Sequence, residues 1–60
     1  MEKPKHYESV IDARDYITCN KLDFNEGNII KYVSRWKKKG GIDDLIKAKN
    51  YLDYLIKINT

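Results

Sequence analysis

The sequence has few of the residues on which metal, disulfide and hydrolase sites depend. Cys19 is its one cysteine and His6 its one histidine, which excludes an internal disulfide and a conventional zinc site. The phosphate-binding loop Gly-x-x-x-x-Gly-Lys-[Ser/Thr] and the dinucleotide fingerprint Gly-x-Gly-x-x-Gly are both missing. We therefore expect no metal and no cofactor, and no motif identifies a catalytic residue.

Long apolar runs are also absent, since none approaches the ~20 residues of a membrane span, and we expect no membrane partner. The lone cysteine and the charged opening residues predict a cytoplasmic protein. What the chain does have is a globular composition, 42% hydrophobic and 35% charged with a net charge of +3 over 60 residues. A core of this size is marginal for a monomer, so we expect a homo-oligomer.

The spacing of apolar residues predicts an all-α domain of three helices. Residues 1–5, which contain the only proline, are expected to form a flexible tail, and residues 6–60 a single helical domain. The first helix is predicted over about residues 9–19, capped by Ser9, with an apolar stripe of Val10, Ala13 and Ile17.

The second helix is predicted over about residues 25–39. Asn25 is the expected N-cap, with Phe24 packing on Ile29 in front of it. Its core stripe is expected to be Ile29, Val33 and Trp36. A cationic last turn, Lys37-Lys38-Lys39, should precede the terminating pair Gly40-Gly41.

The third helix is predicted over about residues 42–58, with a core stripe of Leu45, Ala48, Leu52, Leu55 and Ile56. Asp43 and Asp44 in its first turn are expected to complement the helix dipole, although aspartates can also hold magnesium. Because the Gly-Gly connection is short, helices two and three should form an antiparallel hairpin, against which helix one lies.

Helix three carries more apolar surface than this core needs. A second stripe is turned by ~100° from the first and, with the adjoining Leu55, is expected to form the oligomer interface: Tyr51, Tyr54, Leu55 and Ile58. Alternatively, some of these aromatic rings stack on the base of a ligand, in a pocket at an oligomer seam.

A cationic stripe on helix two is the main candidate for ligand binding. Lys31, Arg35 and Lys38 recur at i, i+4 and i+7, so two or three of them could close on one phosphate group. Asn28 in the first turn adds to an environment that suits anions. The same stripe also fits a solvated helix face.

Two other segments have alternative interpretations. His6 and Tyr7 could fold over the cationic stripe as a lid, or could pack on the bundle as an N-terminal staple. The lysine run 37–39 could contact a nucleic-acid backbone, which would give weak, salt-sensitive binding without sequence readout.

These residues belong to a spaced pattern from His6 to about Leu55, which comprises His6-Tyr7, Gly27-Asn28-Ile29-Ile30-Lys31-Tyr32-Val33-Ser34-Arg35, Lys39-Gly40-Gly41, Asp44-Leu45, Lys47-Ala48 and Tyr51-Leu52. The pattern resembles a family of small phage and prophage proteins of unknown function. The nucleoside monophosphate kinase of short-tailed coliphages carries a similar module. The resemblance implies a location in the bacterial host cell, and a nucleotide ligand for Asn28, Lys31, Tyr32, Arg35 and Lys47.

The function expected from these observations is the binding of a nucleotide or nucleotide-derived signal, and by analogy the sequestration of a host defence signal. Its base would stack on His6, Tyr7, Tyr32 or Trp36. The first alternative is a nucleoside monophosphate kinase, which needs two nucleotides and magnesium and hence an oligomer to enclose them. The second is a phage interaction protein, or a weak nucleic-acid-binding protein, without a small ligand.

Overall fold

The computed structural model describes residues 11–60, and this part of the chain contains three α-helices and no strand. Helix α1 spans Ala13–Cys19, α2 spans Phe24–Arg35 and α3 spans Ile42–Ile58. The prediction of an all-α, three-helix fold is confirmed. The expected tail over residues 1–5 and the lid of His6 and Tyr7 lie outside the described residues.

Helix α1 begins later than predicted. Ile11 and Asp12 are not helical, and the Asp12 carboxylate accepts the Arg14 N–H at 3.2 Å. Asp12 therefore supplies the N-cap that was expected from Ser9, because an aspartate here satisfies a first-turn amide with no helical partner. The helix ends at Cys19, as predicted.

Helix α2 begins and ends at different residues from those predicted. Asp23 is its N-cap in place of Asn25: its carboxylate accepts the Glu26 N–H at 2.8 Å, while the Glu26 side chain accepts the Asp23 N–H at 3.0 Å. This reciprocal pair satisfies two backbone donors, which a single Asn25 cap would not.

The chain leaves the helix after Arg35, so the lysine run 37–39 lies in the turn that follows and not in the last helical turn. Lys38 and Lys39 donate their N–H groups to the Arg35 carbonyl, each at 2.9 Å, and Gly41 donates to the Trp36 carbonyl at 2.8 Å. Gly41 has φ 62° and ψ −149°, a conformation open essentially to glycine alone. It starts α3 at the predicted residue.

The three helices form a single layer with α2 in the middle. Helix α2 packs against both neighbours, whereas α1 and α3 make no contact with each other. Contacts of Phe24 with Tyr51 and of Arg35 with Asp44 show that α2 and α3 are antiparallel, as predicted. The Cα atoms span only 12 Å in the thinnest direction, which is less than the roughly 13–15 Å that two stacked layers of helices would need.

A single layer encloses almost no core, and three of the eight residues predicted for the core stripes of α2 and α3 are exposed on its surface. Ala48 is the only hydrophobic residue that is buried among residues 11–60. Val33, Leu52 and Ile56 are 48%, 45% and 57% exposed. The seam with α2 keeps Ala48 and Leu55 of the predicted stripe. It follows residues of α3 that recur at i, i+4, i+7 and i+11 and are buried or half-buried: Asp44, Ala48, Tyr51 and Leu55.

A buried glycine brings α1 close to α2. An added Cβ at Gly27 would lie 3.1 Å from Cγ2 of Ile17, so the helices approach at a point where any side chain would crowd the neighbour. This contact fixes α1 on the edge of α2 that faces away from α3.

Candidate functional site

The junction of α2 and α3 is organised around a buried aspartate. Asp44 is 1% exposed. Arg35 donates from Nε to Oδ2 at 2.9 Å and from Nη2 to Oδ1 at 3.3 Å, and the Gly40 N–H donates to Oδ2 at 3.0 Å. The hydrogen bonds from Arg35 hold the pKa of Asp44 below its usual range despite the opposing effect of burial. The same pair raises the pKa of Arg35.

This pairing gives Asp44 a role beyond the dipole complementation that was expected of it, whereas Asp43 is exposed. Sequence reasoning missed the pair because its partners lie on different helices. Gly40 is a signal that points to it, since a Cβ at this position would overlap the Asp44 carboxylate. Glycine at residue 40 therefore leaves room for the carboxylate.

Three cations surround the ring of Tyr32. Nζ of Lys31 lies 5.0 Å from the ring centroid, Cζ of Arg35 lies 4.9 Å from it, and Nζ of Lys47 lies 5.4 Å from it. Asp44 balances the charge of Arg35, but neither lysine forms an ion pair within residues 11–60. Two ammonium groups beside a fixed guanidinium suit a multiply charged anion.

A groove of about 870 Å³ lies between α1 and the C-terminal end of α2. Five basic side chains line it, together with the Ser34 hydroxyl: Arg14, Lys31, Arg35, Lys38 and Lys39. Among residues 11–60, Asp12 is the one acidic residue of this lining, and its carboxylate lies 3.6 Å from Nη2 of Arg14. The groove is therefore strongly cationic.

The groove brings together three of the five predicted phosphate ligands, Lys31, Arg35 and Lys38, whereas Asn28 and Lys47 do not line it. Lys31 and Arg35 also flank Tyr32, so they join the groove to the cluster that Lys47 completes from α3. The contributions of Arg14, Ser34 and Lys39 escaped the sequence reasoning, because they depend on where α1 docks.

Two other predicted site residues lie elsewhere. The Asn28 side chain donates from Nδ2 to the Phe24 carbonyl at 2.8 Å and lines a smaller cavity that it shares with Lys31. Trp36 lies beside Lys37, whose Nζ is 5.9 Å from its ring, and does not line the groove.

The aromatic side chains form a ladder across the α2–α3 seam. Tyr32 stacks on Tyr51 with ring centroids 6.0 Å apart and planes at 16°, and Phe24 meets Tyr51 edge-on at 5.8 Å. Tyr51 is therefore half-buried within the hairpin, whereas Tyr54 and Ile58 are 52% and 53% exposed.

A second cavity, of about 300 Å³, adjoins this ladder. It is lined by three aromatic rings and two carboxamides, those of Phe24, Tyr51, Tyr54, Asn25 and Asn50. Phe24 is 72% exposed, so its ring is open to a ligand. Flat apolar surface beside groups that both donate and accept hydrogen bonds suits a heteroaromatic ring.

Residues 11–60 hold no group of three His, Cys, Asp or Glu side chains able to bind a metal ion. In the same range, no helix combines the length and apolarity that a membrane crossing requires.

Comparison with known proteins gives a single result. No curated protein and no solved structure matches the chain significantly. One family model, described as a protein of unknown function, matches residues 1–53 and therefore covers all three helices except the end of α3. The chain thus belongs to the DUF3310 family.

Proposed function

We propose that this protein binds a nucleotide and holds its phosphates with the cations at the C-terminal end of α2. The observation that carries the proposal is the convergence of Lys31, Lys47 and Arg35 on Tyr32, at the edge of a groove that Lys38 also lines. A phosphate accepts several hydrogen bonds at once and carries the charge to match two lysines.

Arg35 contributes to this site a guanidinium group whose orientation is already fixed by Asp44. Asp44 accepts from Nε and Nη2, so Nη1 and the second hydrogen of Nη2 remain as donors. The side chain is 33% exposed, which leaves those donors accessible. Most of the attraction for the phosphate then comes from the lysines, because the charge of Arg35 is balanced.

The base of the nucleotide is proposed to occupy the aromatic cavity. Tyr32 offers little free surface, since Tyr51 stacks on it and three cations surround it. Phe24 and Tyr54 are more exposed, and Asn25 and Asn50 beside them can pair with the edge of a base. The cavity and the cation cluster adjoin through Tyr51.

Isothermal titration calorimetry with a panel of mono-, di-, tri- and cyclic nucleotides tests the proposal. Lys31→Gln removes one charge that touches the phosphate and should weaken binding by about tenfold, since a charge-assisted hydrogen bond contributes about 1.5–3 kcal/mol. Lys57→Gln is the matched control: Lys57 lies in the last turn of α3 and lines none of the cavities described above. Failure of every nucleotide to bind below millimolar concentration would refute the proposal.

The biological use proposed for this binding is sequestration of a host defence signal in the cytoplasm of an infected bacterium. Its support is the resemblance to small phage proteins. Incubation with ATP, a nucleoside monophosphate and magnesium separates this use from the kinase alternative. Recovery of the unchanged nucleotide supports sequestration, whereas formation of a nucleoside diphosphate supports phosphoryl transfer.

A further inference from the structure

The side of the α2–α3 hairpin opposite the cation cluster is apolar, and within residues 11–60 it leaves Val33, Leu52 and Ile56 exposed. We infer that it is the surface on which a second copy of this chain docks to form a dimer. This apolar face consists of Ile29 and Val33 of α2, the C-cap residue Trp36 that follows them, and Leu45, Leu52 and Ile56 of α3. The inference does not depend on nucleotide binding.

Helical geometry places these side chains together. At 100° per residue, Val33 lies about 200° around α2 from Lys31, and Ile56 lies about 180° around α3 from Lys47. Since both lysines flank Tyr32 on one side of the hairpin, the apolar residues share the other side. Val33, Leu52 and Ile56 are 48%, 45% and 57% exposed there.

The lack of a core explains why this face needs a partner. Ala48 is the only hydrophobic residue buried among residues 11–60, so the hairpin has no enclosed core of its own. Stacking a second layer on the apolar face would create the enclosed core that one layer lacks.

The charges that flank the face on α3 favour a second copy over an unrelated partner. Lys49 and Asp53 form an ion pair at 2.9 Å, one turn apart on α3 between Leu45 and Ile56, and both side chains are exposed. A two-fold axis that reverses one α3 against the other places each Lys49 opposite the Asp53 of the partner. The surface is therefore complementary to itself, as a two-fold interface requires.

Sedimentation equilibrium across a concentration series tests the inference on the full chain. We expect the wild type to have the mass of two chains and Leu52→Glu the mass of one. Tyr54→Glu is the matched control, since Tyr54 is 52% exposed but lies on the opposite side of α3, and it should leave the dimer intact. Interfaces of this class assemble in the micromolar range. A wild type that is still monomeric at about 100 times that concentration would overturn the inference.

Charge reversal provides a second test in case Leu52→Glu fails to fold. Lys49→Glu and Asp53→Lys each place like charges across the two-fold axis and should weaken the dimer by about tenfold, whereas the double variant restores opposite charges and should recover it. The circular dichroism spectra of all three should match that of the wild type. Dissociation by Tyr54→Glu alone, with no effect of the charge reversals, would instead assign the interface to the stripe of Tyr51, Tyr54, Leu55 and Ile58.

Discussion

Arg35, the last residue of α2, holds both carboxylate oxygens of Asp44, which lies in the first turn of α3, at 2.9 Å and 3.3 Å. The pair ties the two helices together at the end where the chain turns. It also fixes the guanidinium beside Tyr32 while cancelling its charge. Asp12 pairs with Arg14 in the same groove, so the net positive charge of the candidate site belongs to the lysines.

The ion pair predicts how stability depends on pH. Because the pKa of Asp44 is lowered in the folded state, its contribution is complete above the ordinary aspartate pKa of about 3.9 and is lost as the pH falls toward the lower folded value. Thermal unfolding of wild type and Asp44→Asn should differ most near pH 7 and converge below about pH 4. Asp43→Asn, a change at an exposed residue, should follow the wild type at every pH. A difference in melting temperature between wild type and Asp44→Asn that stays constant as the pH falls would contradict the prediction.

Gly40→Ala should destabilise the fold through Asp44. The new Cβ would overlap the Asp44 carboxylate, so the carboxylate must move away from Arg35 and from the Gly40 N–H. In the background of Asp44→Ala the overlap disappears, and Gly40→Ala should then lower the free energy of unfolding only slightly. The measurement is a double-mutant cycle by urea unfolding. Additive losses in the two variants would show that Gly40 and Asp44 act independently.

Arg35→Lys should lower the melting temperature even though it keeps the positive charge. A lysine offers a single ammonium in place of the planar fork, so it cannot hold both oxygens of Asp44. Lys31→Gln, by contrast, should leave stability within about 0.5 kcal/mol of the wild type, as surface changes usually do. Differential scanning calorimetry distinguishes the two. Equal melting temperatures for Arg35→Lys and the wild type would mean that the fork is not needed.

Gly27→Leu should displace α1 from α2. Crowding against Ile17 should lower the free energy of unfolding by about 1–3 kcal/mol. This loss outweighs the roughly 1 kcal/mol by which leucine stabilises a helix relative to glycine. Adding Ile17→Ala makes room for the leucine and should recover part of the loss. The check is chemical unfolding of the single and double variants, and a Gly27→Leu protein as stable as the wild type would refute it.

The sequence predicts α3 well because both of its ends are determined locally. Gly41 provides the backbone conformation that starts the helix, and the apolar period continues to Ile58. The end of α2 is different, since the lysine run 37–39 is as compatible with a helix as with a turn. Its conformation is decided by Asp44, which requires the Gly40 N–H to approach its carboxylate.

Periodicity also identifies the apolar residues of α2 and α3 without showing what covers them. Val33 and Leu52 were expected in the core because they lie on apolar stripes, yet the seam between the helices is built from Arg35 with Asp44 and Tyr32 with Tyr51. Polar and aromatic pairs across helices leave no periodic signal in one chain. For the candidate site, spacing alone placed Lys31, Arg35 and Lys38 together, but only the docking of α1 completes the groove.

The single layer of helices also determines which part of the molecule unfolds first. Every contact between helices joins elements that are consecutive in the chain, and chains with such local contacts fold within microseconds to milliseconds. Because α2 is the only described helix that α1 contacts, α1 can detach while the junction of Arg35 and Asp44 stays closed. Helix α1 is then a separate unit of local unfolding, whose amides exchange with solvent before those at the seam of α2 and α3.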